Sequence, residues 1–244
     1  MRTTNPALNE RAFESVSSTS TAEGMTIQGT VHKTGFLLLM LTISSAWVWS
    51  QVASTGAMPM AAWIGAIGGF ITALVTIFKK EWSPATAPLY AVFEGAFLGG
   101  ISAVMEASYS GIVAQAVALT FGTLAALLIV YSARLIPVTQ NFRLGIFAAT
   151  GGIALVYLAS WVMSWFGVRM PVIHESGPLG IAFSAFVVVI AALNLVLDFD
   201  FIEHAAERRL PKYMEWFAAF GLLVTLVWLY IEILRLLSKL RSRR

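Results

Sequence analysis

Seven stretches of mostly apolar residues follow one another along the chain, each near the length of about 20 residues that a helix needs to cross a bilayer. They run over Thr34–Val52, Met60–Phe78, Ala85–Met105, Gly111–Ser132, Leu144–Phe166, Leu179–Leu197 and Tyr213–Leu237. Their connections are short, and several carry breakers: Gly56 with Pro59, Ser83-Pro84, Pro137, Pro171, Gly177-Pro178 and Pro211. The chain is 58% hydrophobic and 12% charged, whereas soluble domains carry roughly 25% charged residues. Much of the surface must therefore face something other than water. The length of 244 residues suits one bundle. These features predict an all-α integral membrane protein, a seven-transmembrane-helix bundle in contact with the lipid bilayer. Residues 1–32 read as a polar, disordered N-terminal tail, 33–238 as the transmembrane domain and 239–244 as a basic C-terminal tail. No cleavable signal peptide is visible before Thr30.

The basic residues give a direction. Arg2, Arg11, Lys33, Lys79, Lys80, Arg134, Arg143, Arg208, Arg209 and Lys212 fall on one side of the seven spans. Arg169, Lys239, Arg241, Arg243 and Arg244 fall on the other. The larger set is cytoplasmic by positive-inside counting, which puts the N-terminus in the cytoplasm. The basic C-terminal tail dissents, and a last segment that dips in and returns would place that tail inside as well. The length of the last segment and its Leu, Trp and Tyr content favour a full span. The clustering of the basic residues in short loops and tails fits membrane topology better than nucleic acid. There is no cysteine, so disulfides, thiol catalysis and thiolate metal sites are excluded.

Small residues recur at helical spacing, at Gly65 and Gly69 and at Ala91, Gly95 and Gly99. Such spacing lets helix backbones approach closely in lipid, which is a packing signal and not a chemical one. Most tryptophans, Trp47 and Trp82 among them, fall near predicted span ends, as interfacial anchors do.

The acids are the groups that point to chemistry, because an ionisable side chain inside hydrocarbon is costly and marks a functional site by default. Glu94 lies mid-span with no basic residue within a turn or two. It is a candidate either for a cation pathway or for a neutral acid that locks two helices together, and Asp200 and Asn194 are candidates for the same pathway or locking role. Asp198 and Asp200 end the sixth segment. Asn194 and Asp198 share one face at i,i+4, and Asp200 and His204 make another such pair. Asp198 reads as functional, whereas Asp200 and Glu203 read as a solvated helix end. Glu232 lies deep in the last segment, and Arg235 is its alternative partner three residues on. Asp198 and Glu232 are the candidate pH sensor and gate. Two carboxylates held close cannot both ionise cheaply and titrate as a unit. Their oxygens also suit a hard cation, which makes the same two residues candidate Ca²⁺ ligands. A simple antiparallel hairpin turning at Leu210 opposes this pairing, since it sets Glu232 about 15 Å from the level of Asp198 at about 1.5 Å per residue. His32, His174 and His204 lack the spacing of a metal site.

The segment from Pro84 to Ser102, which contains Tyr90-Ala-Val-Phe-Glu-Gly-Ala-Phe-Leu-Gly-Gly-Ile-Ser102, resembles the signature of the Bax inhibitor-1/YccA-like (transmembrane BAX inhibitor motif) family. Leu197-Asp-Phe-Asp-Phe-Ile-Glu203 and Leu229-Tyr-Ile-Glu-Ile-Leu-Arg-Leu-Leu237 resemble that family's last two helices. Asn5-Pro-Ala-Leu-Asn-Glu-Arg-Ala-Phe13 looks like a bacterial subgroup, hence a bacterial cytoplasmic membrane. The resemblance implies seven helices with a hairpin-like last one. It also implies a pH-sensitive calcium leak whose latch is an aspartate pair on the sixth and seventh helices. Asp198 matches the first aspartate, and Glu232, one methylene longer, stands where the second is expected. Bacterial relatives are also implicated in regulating a membrane-bound protease, which implies a partner-binding role as the alternative. No cofactor is implied. The chain lacks a Gly-x-Ser-x-Gly elbow and a His-Glu-x-x-His helix, so an enzyme is the least favoured reading.

Overall fold

The computed structural model describes residues 24–167 and 177–243. Among these residues it contains seven long helices and no strand. They are α1 (Ile27–Thr55), α2 (Met60–Phe78), α3 (Ser83–Ser108, entered through the short turn Lys80–Trp82), α4 (Ile112–Ser132), α5 (Gln140–Trp165), α6 (Pro178–Glu207) and α7 (Met214–Ser242). All seven are long and apolar enough to cross a membrane. The shortest, α2, has 19 residues, which at about 1.5 Å per residue matches a hydrocarbon core of about 30 Å.

Local chemistry sets the helix ends. Thr26 is extended and its hydroxyl accepts the Gly29 N–H at 2.9 Å, which starts α1. Gly56 ends it at φ 69°, with its N–H on the Val52 carbonyl. Thr139 caps α5 by accepting from Phe142 N–H at 3.2 Å. Within the spans, hydroxyls return their proton to the carbonyl one turn back, as Thr34 does to Thr30 and Thr76 to Thr72. No polar hydrogen of these side chains is then presented to lipid. Ile67, Phe70 and Leu155 are each more than 60% exposed, an outward apolar face suited to hydrocarbon rather than water.

The described residues divide into two compact units. The first contains α1–α3 with Asp200–Val224. Glycines make the contact of α3 with its neighbours. A Cβ placed on Gly95 or Gly99 would lie 2.3 Å from the Leu41 carbonyl oxygen or 2.2 Å from that of Ser45, both on α1. One placed on Gly65 would lie 2.5 Å from the carbonyl of Phe93. The small-residue spacing thus does what it predicts, and α3 touches α1 and α2 backbone to backbone. Ser44 adds a hydrogen bond to the Val92 carbonyl at 2.7 Å. The second unit contains α4, α5, α6 through Phe199 and α7 from Thr225. Ile153, Val187 and Ile190 form one buried cluster in it, with Tyr157, Phe183 and Trp228 packed on them.

Three expectations change. The first helix starts at Ile27, not Thr34, because the Thr26 cap lies upstream of the oily run. The last helix is a single unbroken helix through Ser242, so the hairpin-like form is replaced by the full-length helix that the length and composition of the segment favour. Its most apolar window is 78% buried, the most of the seven. Lys239 therefore belongs to the helix and not to a tail. Arg2, Asn5–Phe13, Arg11, Arg169, Pro171, His174 and Arg244 lie outside the described residues.

Candidate functional site

The C-terminal half of α7 carries the densest polar cluster of the second unit. Glu232 is 1% exposed. Arg235 lies one turn on and places Nη1 at 2.9 and 3.0 Å from the two carboxylate oxygens. Tyr157 of α5 completes a triangle. Its hydroxyl donates to the same oxygens, each at 3.0 Å, and accepts from Arg235 Nη1 at 2.6 Å. The guanidinium also sits over the Tyr157 ring, 5.0 Å from its centroid. Phe183 meets that ring edge-on at 6.2 Å. A buried charge is tolerable when it is paired and hydrogen-bonded, and Glu232 has both kinds of partner. Of the two partners weighed for Glu232, Arg235 is in contact with it.

Asp198 is fully buried. Asn194, one turn back on α6, donates to the Thr150 hydroxyl at 3.0 Å and to the Ile190 carbonyl at 2.8 Å. Lys239 fixes the register of α6 against α7, since its ammonium meets Gly180 O at 3.0 Å and Ser184 Oγ at 2.9 Å. Counting antiparallel from Ser184 and Lys239, Asp198 is level with Thr225. Glu232 is then offset by about 10 Å along the axis at about 1.5 Å per residue. The offset is shorter than the about 15 Å that a turn at Leu210 predicts, because the Ser184–Lys239 contact sets the register.

The remaining candidates lie in the first unit. Asp200 is 6% exposed, which corrects its reading as part of a solvated helix end. Glu203 on the same helix is half-buried and Glu207 at its end is exposed. His204 Nδ1 lies 2.7 Å from the Asp200 carbonyl and 3.5 Å from its Oδ1. Glu94 is half-buried, with its carboxylate over Gly69 of α2, where an added Cβ would meet Oε2 at 2.8 Å. His32 pairs on the surface with Gln28 at 2.9 Å. Among the described residues, no group of three or more His, Asp or Glu side chains is arranged to hold a metal ion.

Three participants are missed by reasoning from the sequence. Tyr157 sits in an ordinary apolar run, and only the packing of α5 brings it to Glu232. Lys239 looks like a tail residue until the helix is seen to continue past it. The seven-residue spacing from Glu232 was its one available signal. Glu215 is fully buried at the start of α7. It accepts from the Thr26 N–H and hydroxyl, both at 2.9 Å. Lys33 and Lys212 also pair with it, Lys212 at 3.1 Å. This carboxylate ties the start of α1 to the turn before α7. The same turn is held by the Met25 N–H on Leu210 O and by Ser83 Oγ on Tyr213 O.

Seven apolar helices that carry buried carboxylates, with one acid held in a Tyr–Arg network, define a polytopic integral membrane protein with buried ionisable groups. The chain belongs to the Bax inhibitor 1 like family, whose model matches residues 5–242. No curated protein and no solved structure matches it.

Proposed function

We propose that this protein is a proton-sensitive leak for cations, Ca²⁺ in particular, in a bacterial cytoplasmic membrane, with its N-terminus in the cytoplasm. Membership of the Bax inhibitor 1 like family supports the reading. The observation that carries it is the burial of two carboxylates, Asp198 and Glu232, in helices otherwise built for lipid. Glu232 is the gate. While it is ionised, its attraction to Arg235 and the hydroxyl of Tyr157 brace α5 against α7. Protonation removes the charge that Arg235 is bound to, and the brace loosens. Asp198 supplies a second buried acid near the level of Thr225. The register supports two acids acting at different depths rather than one shared proton. Asn194 orients the α6 face beside Asp198. The protein performs no catalysis and uses no cofactor in this reading, and Ca²⁺ is cargo.

The test is purified protein in liposomes loaded with a calcium dye, with flux read against pH. Asp198→Asn and Glu232→Gln are expected to change the flux and to flatten its pH dependence. Unchanged flux and pH profile in both variants would end the gating idea.

The alternative is a regulatory protein that binds a membrane partner such as a membrane protease, with no transport. The closed Tyr157–Glu232–Arg235 triangle favours it, since a fully satisfied network also serves as interhelical glue. Absence of flux at every pH, together with capture of a membrane protease that is lost on deleting residues 1–23, would select this reading.

A further inference from the structure

The leak reading uses the acids and Arg235 and leaves the buried cation of α7, Lys239, unassigned. Lys239 is 6% exposed. Its ammonium is held by a main-chain carbonyl and a serine hydroxyl of α6, both uncharged. Glu232, Arg235 and Lys239 recur at helical spacing along one stretch of α7. The acid comes first, and the cations follow toward the C-terminal end. Arg241 follows and donates to Gln115 Oε1 at 2.9 Å, a neutral partner again. Glu232 lies about 10 Å from Lys239 along the axis at about 1.5 Å per residue, and Arg235 already engages it. The described residues of this unit hold two acids, Asp198 and Glu232, against Arg134, Arg143, Arg235, Lys239, Arg241 and Arg243. A fixed charge in a low-dielectric interior acts at longer range than in water. Basic side chains at a constriction exclude cations.

We propose that Lys239 is a built-in positive barrier that limits cation passage past the C-terminal end of α7. It sets the charge selectivity of the leak. The proposal rests on the leak reading above. The neutral acceptors are part of the design, because an acid at Ser184 would cancel the charge that does the excluding. Asp198 and Glu232 then attract cations, and Lys239 limits how many pass.

The test is flux through liposomes containing the full chain, with Ca²⁺ and K⁺ measured separately at one pH. Lys239→Gln, and Lys239→Met as a variant that keeps the stem, are expected to raise both fluxes, and Lys239→Arg to stay at the unsubstituted level. An electrostatic barrier scales with valence, so a roughly threefold rise for K⁺ should accompany roughly ninefold for Ca²⁺. Equal rises for both ions, with Lys239→Arg raised as well, would mean lost packing and overturn the proposal. An unsubstituted protein that leaks while both neutral variants match it would overturn the barrier and leave the leak standing. No flux from any of them would remove both. Flux from the neutral variants alone would support the barrier in its strongest form.

Discussion

Tyr157→Phe isolates one hydroxyl of the Glu232 network. The phenylalanine keeps the ring that stands edge-on to Phe183 and beneath the Arg235 guanidinium. What is lost is the proton shared between the two Glu232 oxygens and the acceptor of the 2.6 Å bond from Arg235. Hydrogen bonds to charged groups contribute roughly 1.5–3 kcal/mol. The Arg235 side chain is 36% exposed, so water replaces part of its share. The lower end, about 1.5 kcal/mol, is the appropriate figure. That is about a tenfold change in an equilibrium constant. If the network holds the closed state, Tyr157→Phe should raise the initial rate of Ca²⁺ entry about tenfold at a fixed pH. It should also lower the melting temperature in detergent by about 3–6 °C. A second measurement separates the hydroxyl from the ring. In a Glu232→Gln background the same substitution should change flux by less than about threefold, because the charge that the hydroxyl serves is gone. Unchanged flux and unchanged melting for Tyr157→Phe would refute the reasoning. So would an undiminished effect in the Glu232→Gln background.

Other expectations follow from the same geometry. Gly95→Ala and Gly99→Ala each drive a methyl into a main-chain carbonyl of α1 and should cost about 1–3 kcal/mol by thermal unfolding. Gly35→Ala, with nothing within 4 Å of the new methyl, should be neutral or stabilising by up to about 1 kcal/mol. Glu215→Gln removes the charge that Lys33, Lys212 and both Thr26 donors share. Faster amide hydrogen exchange over Thr26–Thr30 should follow, with little change in α5. Exchange that is unaltered there would mean that the Thr26 cap suffices without the acid.

Much of the architecture is legible from residue order, because the relevant forces act along the chain. A run of about 20 oily residues cannot stay in water and cannot leave its backbone unbonded in lipid. The seven helices follow from that without knowing their neighbours. The spacing of Gly95 and Gly99 announces a close approach for the same reason, though it does not say that Leu41 and Ser45 receive it. Helix ends are read less well. Thr26 lies upstream of the apolar run, and nothing breaks the helix between Leu237 and Ser242.

The site divides along the same line. That Glu94, Asp198 and Glu232 need an explanation follows from composition and position alone, since a charge in hydrocarbon is expensive wherever it sits. Which groups satisfy them is a matter of distances between segments far apart in the chain. Tyr157 is 75 residues from Glu232, and no local pattern connects them. Packing of α5 against α7 decides that Glu232 meets a tyrosine, and packing of α6 against α7 decides that Lys239 lies buried against Ser184. Side-chain chemistry specifies what each residue requires, and the antiparallel register of α6 and α7 selects which neighbour supplies it.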